Sequence, residues 1–408
     1  MTPLSLSFIT CPTLNRRAAW RTLEQIAWTL WITTLVGLTA KVLVHPTSSV
    51  THVYRQATLT WWSGHNIYGP GIHGFLYLPS SAVLFTPFAL PPLWFGDILW
   101  RLVQVGLFTL ALVRLAPLFL PAAPRGALAW ALLLALPAAT VNIMRSQSEI
   151  ILAALMMLTA VAMADRRWRH AAAWLALATA IKPLALVMVL VCVVVYPMMR
   201  SRLALGLAFV LLLPFFNPDP GYVAGQYLSM VHKLTVAAEP GIGRWNEITM
   251  MLDRFGLGIS ENAATALRFA TALATLALCV AATRRLRPID AALVILAACE
   301  CYLLDFNPRT ELGSYMNLAA LLGLFAGARW WYDHRDRAGW IAAGLALALG
   351  THMYGDWIYR PTDVWLKPLV ALIVLFILGF IVVRRFPVTM AVPRLRSASR
   401  DPVTTIAS

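Results

Sequence analysis

Charged residues are scarce in this chain of 408 residues, where Asp, Glu, Lys and Arg together make up only 12%. That is about half of their share in an average soluble protein. Hydrophobic residues make up 60%. Apolar runs near the ~20 residues that cross a bilayer recur from end to end. The composition excludes an ordinary soluble domain and predicts an all-α polytopic membrane protein.

Motifs of common soluble enzymes are also missing. The sequence has no G-x-x-x-x-G-K-[S/T] phosphate loop, no G-x-G-x-x-G dinucleotide motif, no H-E-x-x-H zinc motif and no G-x-S-x-G nucleophile elbow. Its five cysteines form no C-x-x-C pair and lie mostly inside apolar runs, which is typical of small buried side chains. We therefore expect no metal and no cofactor. Any group transfer would need a donor that is available outside the cell.

Acidic residues are fewer than basic ones, with 18 Asp and Glu against 33 Lys and Arg, for a net charge of +15. Most arginines gather in short clusters between apolar runs. The clusters contain Arg16, Arg17 and Arg21; Arg114 and Arg125; Arg166, Arg167 and Arg169; Arg200 and Arg202; Arg284, Arg285 and Arg287; Arg329, Arg335 and Arg337; and the basic tail. Every cluster falls on one side of the predicted membrane, so we predict that this side and both termini are cytoplasmic. The positive charge then contacts membrane lipids, and we expect no nucleic-acid partner.

The apolar runs predict roughly 11 to 13 membrane helices. They fall at about 25–44, 93–113, 127–144, 148–164, 171–181, 183–198, 203–216, 264–283, 289–304, 312–328, 338–352 and 366–383. The two runs around Lys182 and Pro183 form either two spans or one re-entrant hairpin. We predict a cytoplasmic N-terminal segment (1–24), one membrane-embedded domain (25–383) and a basic cytoplasmic tail (384–408). Extended outer-face loops would then occupy 45–92 and 217–263.

Basic residues on the predicted outer face run against the positive-inside bias. They are Arg55, Arg145, Lys182, Lys233, Arg244, Arg309 and Arg360. A phosphate group needs such donors, although each side chain can instead reach lipid headgroups. Lys182 favours phosphate binding, because it lies between two apolar runs in ATAIKPLALVM, where an unpaired charge is costly.

Acidic residues near the outer ends of the apolar runs form a second group, made up of Glu149, Glu300, Asp305 and Glu311. An ionisable group at membrane depth indicates a functional site by default. The alternative for Glu149 is a structural ion pair with Arg145, four residues earlier.

Five segments with weak individual signals stand in a distinctive order. They read VYRQATLTWWSGHNIYG, FLYLPSSAVLFTPFALPPLWFGDILW, RSQSEIILAALMMLTA, AWLALATAIKPLALVMVL and DFNPRTELGSYMNLAALLGL. Together they resemble glycosyltransferase family 87, which includes polyprenol-phosphate-mannose-dependent mannosyltransferases. The resemblance covers roughly residues 20 to 330.

The resemblance implies the GT-C membrane fold and transfer of a hexose, with mannose as the first guess. The donor would be a polyprenyl-phosphate sugar and the acceptor a lipid or a glycan, on the outer face of the cytoplasmic (inner) membrane. In the family, an aspartate of the first outer loop, a few residues before the loop's Tyr, is the expected general base. Basic residues stabilise the departing phosphate.

The base expected from the family is missing here. Four residues before Tyr54, where the resemblance would place the aspartate, this sequence has Val50, and the next residue is Thr51. Neither side chain can act as a base, and residues 45–96 contain no Asp or Glu. The first choice for the base is therefore His52, which can accept a proton at neutral pH, and the carboxylates Glu149 and Glu311 are the alternative catalytic candidates. A histidine that only packs with the aromatic residues of the membrane interface is the alternative for His52.

Seven further residues are predicted to bind substrate. They are Tyr54, Arg55, Tyr77, Arg145, Gln147, Lys182 and Arg309. Trp61, Trp62, Tyr68 and Tyr77 can stack on a sugar or prenyl chain, and can equally form an interfacial aromatic belt.

Two other functions compete with the transferase. The missing acid favours a non-catalytic relative that binds lipid-linked sugar. A transporter or flippase for a lipid-linked saccharide would predict paired repeats with broken helices, and the sequence shows none.

Overall fold

The computed structural model describes residues 12–45, 48–238 and 245–389, with side chains from Trp20 onward. All regular structure in these ranges is helical, which confirms the all-α prediction. The eighteen α-helices of the described part are α1 (Pro12–Val44), α2 (Thr51–Trp62), α3 (Pro79–Leu84), α4 (Thr86–Ala89), α5 (Leu93–Phe119), α6 (Pro124–Arg145), α7 (Glu149–Ala164), α8 (Trp168–Ile181), α9 (Leu186–Val195), α10 (Arg200–Leu212), α11 (Pro220–Ala238), α12 (Ile248–Arg254), α13 (Glu261–Arg285), α14 (Pro288–Phe306), α15 (Met316–Tyr332), α16 (Arg337–Ala348), α17 (Asp356–Thr362) and α18 (Leu366–Arg384). Arg244 and most of the predicted 384–408 tail lie outside the described residues.

Six helical stretches of the described part are long and apolar enough to cross a membrane, as a polytopic membrane protein requires. They are Trp20–Val44, Leu93–Phe119, Pro124–Arg145, Pro197–Phe216, Glu261–Arg285 and Leu366–Arg384. Other predicted spans fall on shorter apolar helices, among them Glu149–Ala164, Pro183–Val195 and Arg337–Ala348. The polytopic class is confirmed, and the count of 11 to 13 membrane helices stays a prediction.

Helix α6 packs along α15 at very short range. An added Cβ at Gly323 would lie 2.7 Å from the Cα of Ala131, and one at Gly327 would lie 2.9 Å from the Cα of Ala127. Small residues four apart on both helices let the two backbones approach closely, as in membrane helix pairs generally. This seam holds α6 and α15 together in the centre of the bundle.

Proline sets the break between α8 and α9. Pro183 has no backbone N–H and disfavours helical geometry at the preceding residue, so α8 ends at Ile181. Lys182 is accordingly extended, with φ −147° and ψ 123°, and a short 3-10 turn at Pro183–Ala185 leads into α9. The break leaves the Lys182 side chain at the end of two apolar helices.

One end of the bundle gathers several helix termini. Helices α6, α8 and α14 end there, and α7, α9 and α15 begin there. We call this end the site face. The arginine clusters at 166–169, 284–287 and 329–337 lie at the opposite ends of these helices or of their neighbours in the chain.

The segments predicted as extended loops contain additional helices. Residues 45–92 include α2, α3 and α4, and residues 217–263 include α11 and α12. Helix α2 buries Thr51, Tyr54, Thr58 and Trp61, a spacing of three and four residues that places them on one face. These helices pack on the site face instead of extending away from it.

Candidate active site

A cavity of about 380 Å³ opens at the site face. Six parts of the chain line it: the first turn of α2 with Val50 before it, the segment 73–77, the turn between α6 and α7, the break after α8, the C-terminal half of α11 with Trp245, and the segment after α14. Its polar lining residues are Tyr54, His73, Tyr77, Gln147, Glu149, Lys182, Trp245, Asn307, Arg309 and Glu311. The structure therefore brings together seven of the ten residues predicted as the site: Tyr54, Tyr77, Gln147, Glu149, Lys182, Arg309 and Glu311.

An ion pair between Lys182 and Glu149 forms the deepest charged group of the cavity. The Lys182 ammonium donates a hydrogen bond to the Glu149 carboxylate, and the two side chains are only 16% and 12% exposed. Burial lowers the pKa of Lys182, but the Glu149 carboxylate outweighs it, so the pKa lies above its usual value. The ammonium, in the break between two helices, therefore stays charged at neutral pH and is available to a second anion.

A second carboxylate group involves Glu311, just before α15. The side-chain amide of Gln147 donates to Glu311, and the Arg145 guanidinium lies 3.4 Å from the same carboxylate oxygen. Ser146 has left-handed backbone geometry, with φ 53°, and this turns the chain sharply between Arg145 and Gln147. The Oε1 atom of Gln147 is buried and has no hydrogen-bond partner in the described part of the protein, so one acceptor beside Glu311 is unused.

The position of Glu311 depends on a close backbone contact two residues later. The Asn142 side chain donates to the Gly313 carbonyl at 2.7 Å. A Cβ on Gly313 would lie 2.1 Å from the Asn142 Oδ1 atom, so any larger residue requires the Asn142 side chain or the turn to shift. Lys367 donates to the Leu312 carbonyl at 2.9 Å and fixes the same turn from the other side.

Two tyrosines and a serine form a hydroxyl network beside the carboxylates. The hydroxyls of Tyr54 and Tyr77 lie 3.2 Å apart, and the Ser148 hydroxyl donates to the Tyr77 hydroxyl at 3.2 Å. Burial and the neighbouring Glu149 charge raise the pKa of Tyr77 far above its usual value. Both phenols therefore stay protonated at neutral pH and can donate hydrogen bonds to a substrate.

Two cations hold the loop 69–73, whose last residue, His73, lines the cavity. The Lys233 ammonium of α11 donates to the carbonyls of Gly69, Gly71 and His73 at 2.9, 2.6 and 2.6 Å. Arg309 donates to the Ile72 carbonyl in the same loop and lies 4.8 Å from the centre of the Trp245 ring. The loop 69–73 is thus fixed to α11 and to the segment after α14.

The three remaining predicted site residues lie elsewhere. His52 is exposed on another face of α2, with its Nδ1 atom 2.9 Å from the Ser49 carbonyl oxygen. Arg55 donates to the Pro91 carbonyl at 2.7 Å. Arg145 reaches the cavity only through its ion pair with Glu311. The functional roles of these residues stay predictions.

Asp97 is a buried carboxylate near the site that the sequence reasoning missed. It forms an ion pair with Arg101 at 2.8 Å and accepts hydrogen bonds from the hydroxyls of Ser49, at 2.6 Å, and Thr51. An acid and a base four residues apart inside an apolar run were the signal for it. Glu300 and Asp305, by contrast, are buried inside the bundle away from the cavity, and within the described residues Asp305 has no hydrogen-bond partner.

The arrangement combines the elements of a group-transfer site for an anionic substrate. The partly buried Lys182 ammonium can bind a phosphate, two carboxylates can accept a proton, and neutral phenol and amide groups can orient hydroxyls. Apolar residues such as Leu184 and Leu234 complete the wall and can contact hydrocarbon. In the described part of the chain, no three His, Cys, Asp or Glu side chains converge as a metal site would require.

Comparison with known protein families identifies the chain. The family model of glycosyltransferase family 87 matches residues 75–304, which is more than half of the sequence. Tyr77, Gln147, Glu149 and Lys182 lie inside the matched range, while Glu311 follows it. No curated protein matches the chain. The extent of the match shows that this chain belongs to glycosyltransferase family 87.

Proposed function

We propose that the protein transfers a hexose, with mannose as the first choice, from a polyprenyl-phosphate sugar to a lipid or glycan acceptor. The observation that carries the proposal is the partly buried Lys182 ammonium in a cavity that also contains two carboxylates. Such a cavity at the end of apolar helices suits a donor with a phosphate and a long hydrocarbon chain. Membership of a glycosyltransferase family supports the reaction type.

Lys182 is the proposed contact of the donor phosphate. Its ammonium has three donor hydrogens, and the described contacts use only one of them, toward Glu149. Arg309 lines the same cavity and supplies a second cation. As the sugar leaves, negative charge grows on the phosphate, and a fixed, partly desolvated ammonium stabilises that charge better than water does.

Glu311 is the proposed general base. In an inverting transfer, the acceptor oxygen attacks the anomeric carbon on the face opposite the leaving phosphate. Glu149 is hydrogen-bonded to Lys182, the proposed phosphate contact, so it would lie on the side of the leaving phosphate. Glu311 is therefore the better candidate for the face of the sugar that the acceptor oxygen attacks. The acceptor hydroxyl gives its proton to Glu311, the new bond from oxygen to C1 forms, and the bond from C1 to the phosphate oxygen breaks. The released polyprenyl phosphate keeps the electron pair.

Orientation in the membrane completes the proposal. We propose that the site face lies outside the cytoplasmic membrane and that both termini lie in the cytoplasm. The arginine clusters at the opposite helix ends support this orientation, because such clusters are retained in the cytoplasm.

A transfer assay on the purified protein in lipid nanodiscs tests the function. Wild type should transfer sugar from polyprenyl-phosphate mannose to an extracted lipid fraction. Glu311→Gln should lower kcat by about 10²–10⁴ and leave donor binding intact. His52→Ala and Glu149→Gln form parallel arms, and a histidine base would also lose activity below about pH 6. Full activity of Glu311→Gln would assign the base to another residue.

A non-catalytic binding protein is the second candidate function, and the absence of any acid in residues 45–96 favours it. Wild type that binds polyprenyl-phosphate mannose but transfers nothing to any acceptor would support this candidate. Movement of labelled donor across a liposome membrane without transfer would instead support a flippase.

A further inference from the structure

A cavity of about 210 Å³ lies among α14, α15, α16 and α18, apart from the candidate active site. We call it the α16–α18 cavity. Every side chain that lines it is hydrophobic, and on α15 the lining includes Leu318 and Leu321, which are 1% and 6% exposed. The two cavities share no lining residue, so neither the proposed donor site nor the proposed base uses this one.

The α16–α18 cavity opens sideways to the membrane. Ile341 of α16 and Ile377 of α18 line it, yet they are 58% and 40% exposed. Helix α18 is a candidate membrane span, and α16 is a shorter apolar helix that contacts it. Hydrocarbon would surround the two isoleucines in a bilayer, so a lipid chain can enter the cavity between these helices.

The depth of the cavity matches one leaflet. Its lining runs from Ala338 to Leu345 along α16 and from Val374 to Ile381 along α18. Each of these stretches of helix spans about 10 Å, and one leaflet contributes about 15 Å of the ~30 Å hydrocarbon core. Ala338 lies at the start of α16 and Ile381 near the end of α18. The cavity therefore belongs to the leaflet at the arginine end, which is the end of the bundle opposite the site face.

Two arginines continue the cavity-lining faces toward the arginine end. Arg337 lies four residues before Ile341 in α16, and Arg384 lies three residues after Ile381 in α18. Residues three or four apart share one face of a helix. Both arginines are exposed, and within the described ranges neither has an ion-pair partner. The guanidinium of Arg384 lies 5.7 Å from the centre of the Phe380 ring, which leaves its charge uncompensated.

A third arginine nearby is compensated inside the protein. The buried Asp290 carboxylate accepts hydrogen bonds from the backbone N–H groups of Val388 and Thr389, at 2.9 and 2.8 Å. Arg287 forms an ion pair with Asp290 at 2.7 Å and donates to the Thr389 hydroxyl at 2.6 Å. These contacts hold Val388, which lines the cavity, against the start of α14. The arginine end of the cavity is therefore a fixed structure, and Arg337 and Arg384 are the cations that can meet an external anion there.

We propose that the α16–α18 cavity binds an acyl chain of an anionic phospholipid, whose phosphate is bound by Arg337 and Arg384. A guanidinium pairs with phosphate through two parallel N–H donors, and basic sites between membrane helices select anionic lipids. A second copy of this chain fits less well as the occupant, because it would bring further arginines to the same end. The bound chain would fill the space between α14 and α15, the two helices that flank the segment of Glu311.

Photolabelling in phosphatidylcholine nanodiscs tests the site. The probes are phosphatidylglycerol and phosphatidylcholine, each with a diazirine in one acyl chain and each at the same low fraction of the lipid. In wild type, residues 318–325 of α15 should be labelled at least about fivefold more by the phosphatidylglycerol probe than by the phosphatidylcholine probe. Because Leu318 and Leu321 are buried, labelling there reports entry into the cavity and not contact with the outer surface.

Two variants separate the head group from the chain. Arg337→Gln/Arg384→Gln should lower phosphatidylglycerol labelling of α15 to the level of the phosphatidylcholine probe, because both phosphate contacts are lost. Ala297→Leu narrows the cavity from α14 and should lower labelling by both probes. Arg169→Gln/Arg285→Gln is the matched control. It removes the same charge at exposed positions of the arginine end, on α8 and α13, which do not line the cavity, and should label like wild type.

Three results would overturn the phospholipid site. Equal labelling of α15 by the two probes in wild type would show a groove that takes any lipid chain. Labelling that falls equally in both arginine double variants would show a general effect of surface charge. Absence of α15 labelling in wild type would show that lipid does not enter the cavity. The comparison of the two probes needs no variant, so it decides the proposal even if a variant fails to fold.

Discussion

At the scale of single residues, Lys182 is the strongest test of the donor site. Lys182→Ala should weaken binding of decaprenyl phosphate by at least about tenfold, because a charge-assisted hydrogen bond contributes about 1.5–3 kcal/mol. Isothermal titration in nanodiscs measures the change. The substitution also leaves the Glu149 carboxylate without its partner, which can itself lower stability. The double variant Lys182→Ala/Glu149→Gln has no such unpaired charge, so a loss of donor binding in it reports on the missing ammonium alone.

Arg360→Ala is the control for this experiment. Arg360 forms an ion pair with Asp356 at 2.7 Å, but both side chains are exposed, at 78% and 71%. Exposed pairs contribute little, so both the stability and the donor affinity should stay unchanged. Unchanged donor affinity in a folded Lys182→Ala variant would remove Lys182 from the site.

Gly313 offers a second test at this scale, through the position of Glu311. Gly313→Ala places a methyl group 2.1 Å from the Asn142 side-chain oxygen, so either the turn that follows Glu311 or the Asn142 side chain that binds it must shift. We expect a loss of about 1–3 kcal/mol in unfolding free energy, as for overpacked cores, together with a lower kcat. Gly344→Ala is the control, because an added Cβ there meets nothing within 4 Å. A variant as stable and as active as wild type would show that the turn adapts.

The sequence identified most of the polar residues of the cavity because several of them are charged groups at the ends of apolar runs, where burial makes charge expensive. His52 does not line the cavity beside Tyr54, although the sequence predicted both in one extended loop. In the structure the segment is α2, and residues two apart on a helix face different directions. Asp97 was missed for the opposite reason, since it lies inside an apolar run and reaches the segment 49–51 only through tertiary packing.

At the scale of elements, the apolar runs predicted the long helices well. Each run corresponds to a helix or a pair of helices, since about 20 apolar residues must satisfy their backbone groups internally in a bilayer. The helices inside the predicted loops were not identified. They are short and partly polar, so their apolar faces can be recognised only once the structure shows which helices pack against them.

Helix α11 gives the prediction at this scale. Lys233→Met keeps an unbranched side chain of similar length but removes the ammonium that binds the carbonyls of Gly69, Gly71 and His73. The loop 69–73 should then open more often, and its amide hydrogen exchange should accelerate by about tenfold. Hydrogen-exchange mass spectrometry measures the rate. Donor affinity should fall less than in Lys182→Ala, because His73 and Gly74 only border the cavity.

His232→Met is the control for the α11 experiment, since His232 is exposed on the same helix. Its exchange rates in 69–73 should match those of wild type. Equal exchange in Lys233→Met and in wild type would mean that Arg309 holds the loop without the lysine.

At the scale of the whole molecule, the polar cavity and the arginine clusters lie at opposite ends of one helical bundle. The cavity lies where α6, α8 and α14 end. Arg166, Arg167 and Arg169 lie at the other end of α7 and α8, and Arg284, Arg285 and Arg287 lie between α13 and α14. A substrate carried on the outer leaflet reaches the cavity only if these arginines are cytoplasmic.

Cysteine labelling from outside the cell decides this orientation. In a background without native cysteines, Asn66→Cys should react with a membrane-impermeant maleimide, because Asn66 is exposed in the segment between α2 and the loop 69–73. His170→Cys should react only after the membrane is permeabilised. His170 is exposed in the first turn of α8, beside the arginine cluster, and its replacement removes no arginine that sets the topology. Labelling of His170→Cys but not Asn66→Cys in intact cells would place the cavity in the cytoplasm and require a donor from that side.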